Sequence, residues 1–266
     1  YAHLGSIVSW DRAANMPHKG NEARASAMAE LAALMHRLRT EPALGDRIAR
    51  AEQEPLSDHQ RANLREIRRD WLQATALPES LVTKQELASS RCEHAWRTQR
   101  PANDWAGFLG NWKPVVALAR EEAALLAERS GLSKYDAMMD RFEPGMKCEQ
   151  VGRVFGAVRQ WLPDVIDRVG ERQSKDTPID ARGPFPVAAQ QALCQRVVTM
   201  LGFDFSAGRL DTSTHPFSGG VPEDVRMTTR YREDEFLPAL MGTVHETGHG
   251  RYEQNRPREW ITQPVS

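Results

Sequence analysis

The sequence predicts a mainly α-helical protein of long helices with one small β-sheet near residues 205–231. Three observations predict it. Across residues 21–172, Ala, Leu, Glu, Arg and Gln dominate, and apolar positions return every three or four residues. From Gly208 to Tyr231 the composition shifts to Thr, Ser, Gly and Pro. Strict period-two alternation occurs only within that segment, where Val225, Met227, Thr229 and Tyr231 alternate with polar neighbours.

The elements follow in chain order. Met28, Leu31, Leu34, Met35 and Leu38 form an apolar stripe on a helix that ends near Thr40, because the residue before Pro42 is pushed out of the helical region. Further helices are expected over about 57–76, 79–98, 103–129 and 147–171, each bounded by Pro, Gly, Ser, Asp or Asn. After the strand region, Glu233, Asp234 and Glu235 supply negative charge where a helix N-terminus favours it, and Pro238 is tolerated only in a first turn. Leu237, Leu240, Met241 and Val244 then read as the apolar face of a helix over about 234–255.

Composition narrows the function. The 266 residues are 40% hydrophobic and 27% charged, which sets aside disordered, collagenous and disulfide-scaffold classes. Lys plus Arg number 35 against 36 Asp plus Glu, so no net field draws nucleic acid or an anionic membrane. No apolar run approaches the ~18 residues of a membrane span. Cys92, Cys148 and Cys194 are too scattered for a disulfide framework or a metal knuckle and are expected as free thiols in a reducing compartment. The chain opens at Tyr1 without a basic segment followed by an apolar one, so a secretory signal is not expected in it.

The chemistry lies in His245-Glu246-Thr247-Gly248-His249. Residues four apart stand one helical turn above each other, so His245 and His249 can reach one Zn²⁺, and the intervening Glu246 can act as the general base on water. With 8 histidines in the chain, chance would produce this pattern in on the order of one such chain in a hundred. The bland alternative is two histidines on a solvated helix face. A catalytic zinc takes three protein ligands and keeps an open position. The metzincin pattern would need Gly at the place of Tyr252 and His at that of Asn255, so that class is excluded. Glu253 lies ~12 Å along the axis from His245, too far for one ion on a straight helix. The third ligand is therefore expected to be a carboxylate beyond Ser266.

From His215 to Ser266 the sequence, with His215-Pro216-Phe217, the Asp224-Val225-Arg226-Met227-Thr228 run and the HETGH run in that order, resembles the carboxypeptidase Taq family of zinc metallocarboxypeptidases. Upstream, the stretch from Trp10 to Pro17 and the stretch from Tyr135 to Met146 are similar to the family's N-terminal and middle regions. Gly250 stands where Ala is usual after the second His, and Phe142 where Tyr is common. The resemblance implies a single metallopeptidase domain over 1–266, made of an N-terminal helical region (1–130) and a groove region (131–266). It further implies the architecture of the neurolysin and angiotensin-converting-enzyme zincins, one Zn²⁺ per subunit, peptide substrates, a homodimer and a cytoplasmic location. Family members are about twice as long, so the chain is expected to match their N-terminal half. The resemblance also assigns His215, Asp224 and Arg226 to the groove or its support. A carboxypeptidase must hold a terminal carboxylate, for which the planar fork of Arg226 or Arg230 is apt, although either can equally be a structural or surface ion pair. A helical zinc endopeptidase would share the HExxH pattern, and a non-catalytic helical module remains the alternative from another class.

Overall fold

A computed structural model describes residues 1–177, 181–261 and 263–265. Among the described residues it contains ten α-helices and one three-stranded sheet. None of the helices among the described residues is long and apolar enough to cross a membrane. The three cysteines are free. The chain divides into two compact units, residues 1–118 with 183–266 and residues 119–182.

The helices are α1 (Ala2–Ala14), α2 (Asn21–Arg39), α3 (Pro42–Ala51), α4 (Asp58–Thr75), α5 (Glu79–Gln99), α6 (Trp105–Ser130), α7 (Lys134–Met139), α8 (Cys148–Gln173), α9 (Val187–Met200) and α10 (Leu237–Gln254). Local signals place the ends. Ser57 and Gln60 close a reciprocal capping box at the start of α4. Pro42 ends one helix and opens the next, since its missing N–H is harmless in the first turn of α3.

Two expected faces differ from the observed ones. On α2 the tightly buried residues are Asn21, Ala25, Ala29 and Ala33, spaced by four, while Leu38 is exposed. Small side chains let α2 approach α5 closely, and Ser90 of α5 donates to the Asn21 side chain at 3.3 Å. On α10 the buried residues are Ala239, Thr243, Glu246, Thr247 and Gly250, whereas Leu237 and Met241 are exposed. This helix also begins at Leu237 instead of near Asp234, because Arg232 pairs with both Asp234 and Glu235 and forms a bridge to Glu235. The acids are spent on that turn.

The sheet has strands β1 (Gly208–Thr212), β2 (Ser218–Val221) and β3 (Asp224–Thr229) in the order β1-β3-β2. β1 runs parallel to β3 and β2 antiparallel to it. A Cβ at Gly220, where φ is 128°, would meet the Asp224 carbonyl oxygen at 2.1 Å, so the tight β2–β3 return requires glycine. The alternation of β3 sends Val225 and Met227 into a core with Val198 of α9 and Phe203. Thr229 on that face donates to the Ala239 carbonyl of α10 at 3.3 Å. The strand ends at Thr229, short of the expected Tyr231. Asp224 and Arg226 point to the opposite face, toward α1.

In the second unit, Ser133 caps α7 by accepting from the Asp136 amide at 3.1 Å. Buried Glu122 forms an ion pair with Arg141. Asp136 accepts from the Cys148 amide at 2.7 Å, which holds its carboxyl below the usual carboxylate range. Phe155, Trp161 and Ile166 of α8 are exposed.

Candidate metal centre

α10 carries the centre because its buried face is narrow. Gly250 lies against Met227 and Phe203, and the Thr247 hydroxyl turns back onto the Thr243 carbonyl at 2.7 Å. With those positions seated on the sheet, the stripe Met241, His245, Gly248, His249 and Tyr252 faces outward. His245 and His249 thus share one exposed stripe, and their Nε2 atoms stand 3.2 Å apart with the rings nearly perpendicular, 78°. Two imidazole nitrogens bound tetrahedrally at 2.0–2.1 Å to one Zn²⁺ would be separated by about 3.3 Å. The pair fits a shared metal.

Glu246 is only 7% exposed and lines a cavity of about 430 Å³ together with His249, Glu253, Phe217, Ser218 and Gly219. The cavity joins the one buried carboxylate of the motif to the His249 imidazole. Among the described residues, no group of three His, Cys, Asp or Glu side chains could hold a metal. Glu253 pairs instead with Arg256 at 2.7 Å, and Glu259 accepts from the Trp260 indole at 2.9 Å.

The other sequence-derived residues fall in different places. His215 lines a second cavity, about 420 Å³, with Arg12, Glu93 and Arg97. Its carbonyl accepts from the Ser213 hydroxyl at 2.6 Å. Arg226 donates to both Asp224 oxygens, at 2.9 and 3.1 Å, with its guanidinium over the Trp10 ring. The Arg226 guanidinium, and more weakly His3, holds the Asp224 carboxyl below the ordinary range against the opposing effect of burial. Arg230 is exposed and, among the described residues, donates to the Thr214 carbonyl at 3.4 Å. The structure therefore brings together His245, Glu246 and His249, places His215 in a neighbouring cavity and turns Asp224 and Arg226 to α1. Sequence reasoning included Thr228 in a matched run but gave it no role; its amide donates to the Phe217 carbonyl at 2.8 Å and its hydroxyl accepts from the Phe217 amide at 3.1 Å. A threonine two residues beyond an arginine carries no signal of that stitch until the strands pair.

A family model described as carboxypeptidase Taq (M32) metallopeptidase matches residues 1–266. The chain belongs to the carboxypeptidase Taq family. Among curated relatives, thermostable carboxypeptidase 1 of Thermus thermophilus is 40% identical over 276 residues, covering 98% of this chain and 54% of the relative. Carboxypeptidase 1 of Bacillus subtilis is 26% identical over 258 residues, covering 96% and 51%. Among solved structures, metallocarboxypeptidase 1 of Trypanosoma cruzi is similar with a TM-score of 0.86 at 45% identity, covering all of this chain and 54% of that one. The M32 carboxypeptidase of Deinococcus radiodurans gives 0.81 at 30%, covering 99% and 53%. The chain thus spans about half the length of the carboxypeptidase Taq relatives it matches. The mainly helical fold with its small sheet is that of the family.

Proposed function

We propose that this chain forms the HExxH-bearing part of a zinc-dependent metallocarboxypeptidase that removes C-terminal residues from peptides. One observation carries the reading: the Nε2 atoms of His245 and His249 converge to 3.2 Å on the outward stripe of α10. These two imidazoles would hold Zn²⁺, one per subunit, with a third ligand from a carboxylate outside the described residues. When bound, the metal would polarise the scissile carbonyl and lower the pKa of water. Glu246 takes a proton from water on its carboxylate oxygen and passes it to the leaving amine nitrogen. Pro216–Gly219 wall the cavity and orient the peptide, and His215 supports that wall from the adjoining cavity. Of the two arginines, Arg230 has the freer guanidinium for a terminal carboxylate, whereas Arg226 is held by Asp224 and Trp10. Residues 1–266 are read as part of one metallopeptidase domain, with 1–130 as its N-terminal helical region and 131–266 as its groove region. The family resemblance supports reading the full-length protein as a cytoplasmic homodimer.

The test uses the full-length protein and matched peptides with free and amidated C-termini, with and without a chelator. Glu246→Gln is expected to keep zinc and lose turnover by at least about a hundredfold, since an amide cannot accept the proton. His249→Ala is expected to lose both. Equal cleavage of the amidated peptides would favour the endopeptidase, and an unchanged rate in Glu246→Gln would remove Glu246 from the mechanism.

A further inference from the structure

The sheet face turned away from α10 is closed by α1 through one buried aromatic. Arg209 of β1 and Arg226 of β3 are register partners and stand side by side. Two adjacent guanidiniums repel unless counter-charges and a polarisable surface face them. Both are present. Asp211 accepts from Arg209 at 2.7 Å twice, and Asp224 accepts twice from Arg226. The Trp10 ring lies under both cations, with Cζ of Arg226 4.2 Å and Cζ of Arg209 5.0 Å from its centroid. The indole also donates to Asp211 at 3.2 Å, while His3, two turns earlier on the same face of α1, meets Asp224 at 3.2 Å. α1 is thereby bonded to both β1 and β3.

The same helix covers a cavity of about 410 Å³ lined by His3, Trp10, Arg226 and Phe217–Gly220. Phe217, Ser218 and Gly219 are also the wall of the cavity that contains Glu246 and His249. β2 is an edge strand with β3 as its strand neighbour, so its position depends on what packs over it. Both α10 and α1 supply that packing, and α1 does so beside Trp10.

Building on the peptidase reading, we propose that Trp10 is a positioning residue: by holding Arg209 and Arg226 beneath α1, it sets where Phe217–Gly219 stand relative to Glu246 and His249. Trp10 touches no reacting group. The arrangement spends both guanidiniums internally, which makes Arg226 part of the positioning device.

The experiment compares the full-length protein with Trp10→Leu, Trp10→Phe and His3→Ala by amide hydrogen exchange and by kinetics on an unblocked tripeptide. In Trp10→Leu, exchange over Phe217–Val221 is expected to rise about tenfold while α10 changes less than about threefold. KM is expected to rise about tenfold with kcat within about threefold, the signature of a displaced binding wall. Phe keeps the ring face and is expected to restore both readouts to within about threefold of the parent. A folded Trp10→Leu with unchanged exchange over 217–221 would overturn the proposal, as would Phe behaving like Leu. If the Leu variant does not fold, His3→Ala decides, because His3 is 43% exposed and its loss spares the core. It must raise exchange over 217–221 by at least about threefold, and no rise would overturn the proposal. A parent protein without chelator-sensitive turnover would defeat the peptidase reading alone, and the exchange comparison would still decide the role of Trp10.

Discussion

The contact between α10 and the sheet is tight enough to be measured by a coupled pair of substitutions. A Cβ at Gly250, directly after His249, would stand 2.9 Å from the Met227 sulfur and 2.9 Å from Cε2 of Phe203. Both neighbours are buried, Met227 completely. Gly250→Ala gains about 1 kcal/mol of helix propensity, but overpacking costs about 1–3 kcal/mol. The single variant should therefore lose up to about 2 kcal/mol. Met227→Ala empties a core site and should cost about 2–5 kcal/mol. In the double variant the new methyl group enters the space the sulfur leaves, and only the Phe203 contact stays close. Its loss should fall short of the sum of the singles by about 0.5–2 kcal/mol, the range for touching residues. Urea denaturation of the parent, both singles and the double measures this directly. Additivity within about 0.3 kcal/mol would refute the reasoning, because it would mean that other contacts set the spacing of helix and sheet. The family's usual Ala at this place would then need no smaller neighbour.

Two further outcomes can be checked. The Asp224 carboxyl titrates below its ordinary value, chiefly through Arg226, so it contributes stability above the unfolded-state pKa of about 3.9 and loses it as pH falls through the depressed folded value. Asp224→Asn should flatten the acid limb of stability against pH over that window, and an unchanged limb would show that the pair adds nothing net. Residues 1–266, titrated with Zn²⁺, should bind it more weakly than the full-length protein and show no turnover, because the described residues offer two imidazoles without a third donor. Tight stoichiometric binding with turnover would instead make Glu253 or Glu259 the ligand.

What the sequence determined by itself is the periodic and the local. α4, α5, α6 and α8 lie within two residues of the ranges read from spacing and breakers, because helix period and terminal residues act over a few positions. The pairing of His245 with His249 is legible for the same reason: four residues make one turn, whatever surrounds the helix. Apolar patterning failed where close approach outweighed hydrophobicity. Ala25, Ala29 and Ala33 seat α2, and Thr243, Thr247 and Gly250 seat α10, since small side chains admit a neighbour that Leu or Met would hold off. α1 carried no strong pattern of its own, and its Trp10 gains its role only from Arg209 and Arg226, about two hundred residues away. Which strand meets which helix depends on the whole core finding its packing, and no short window of sequence holds that information. Tertiary structure alone thus turned Asp224 and Arg226 toward α1 and left the His245–His249 stripe facing outward.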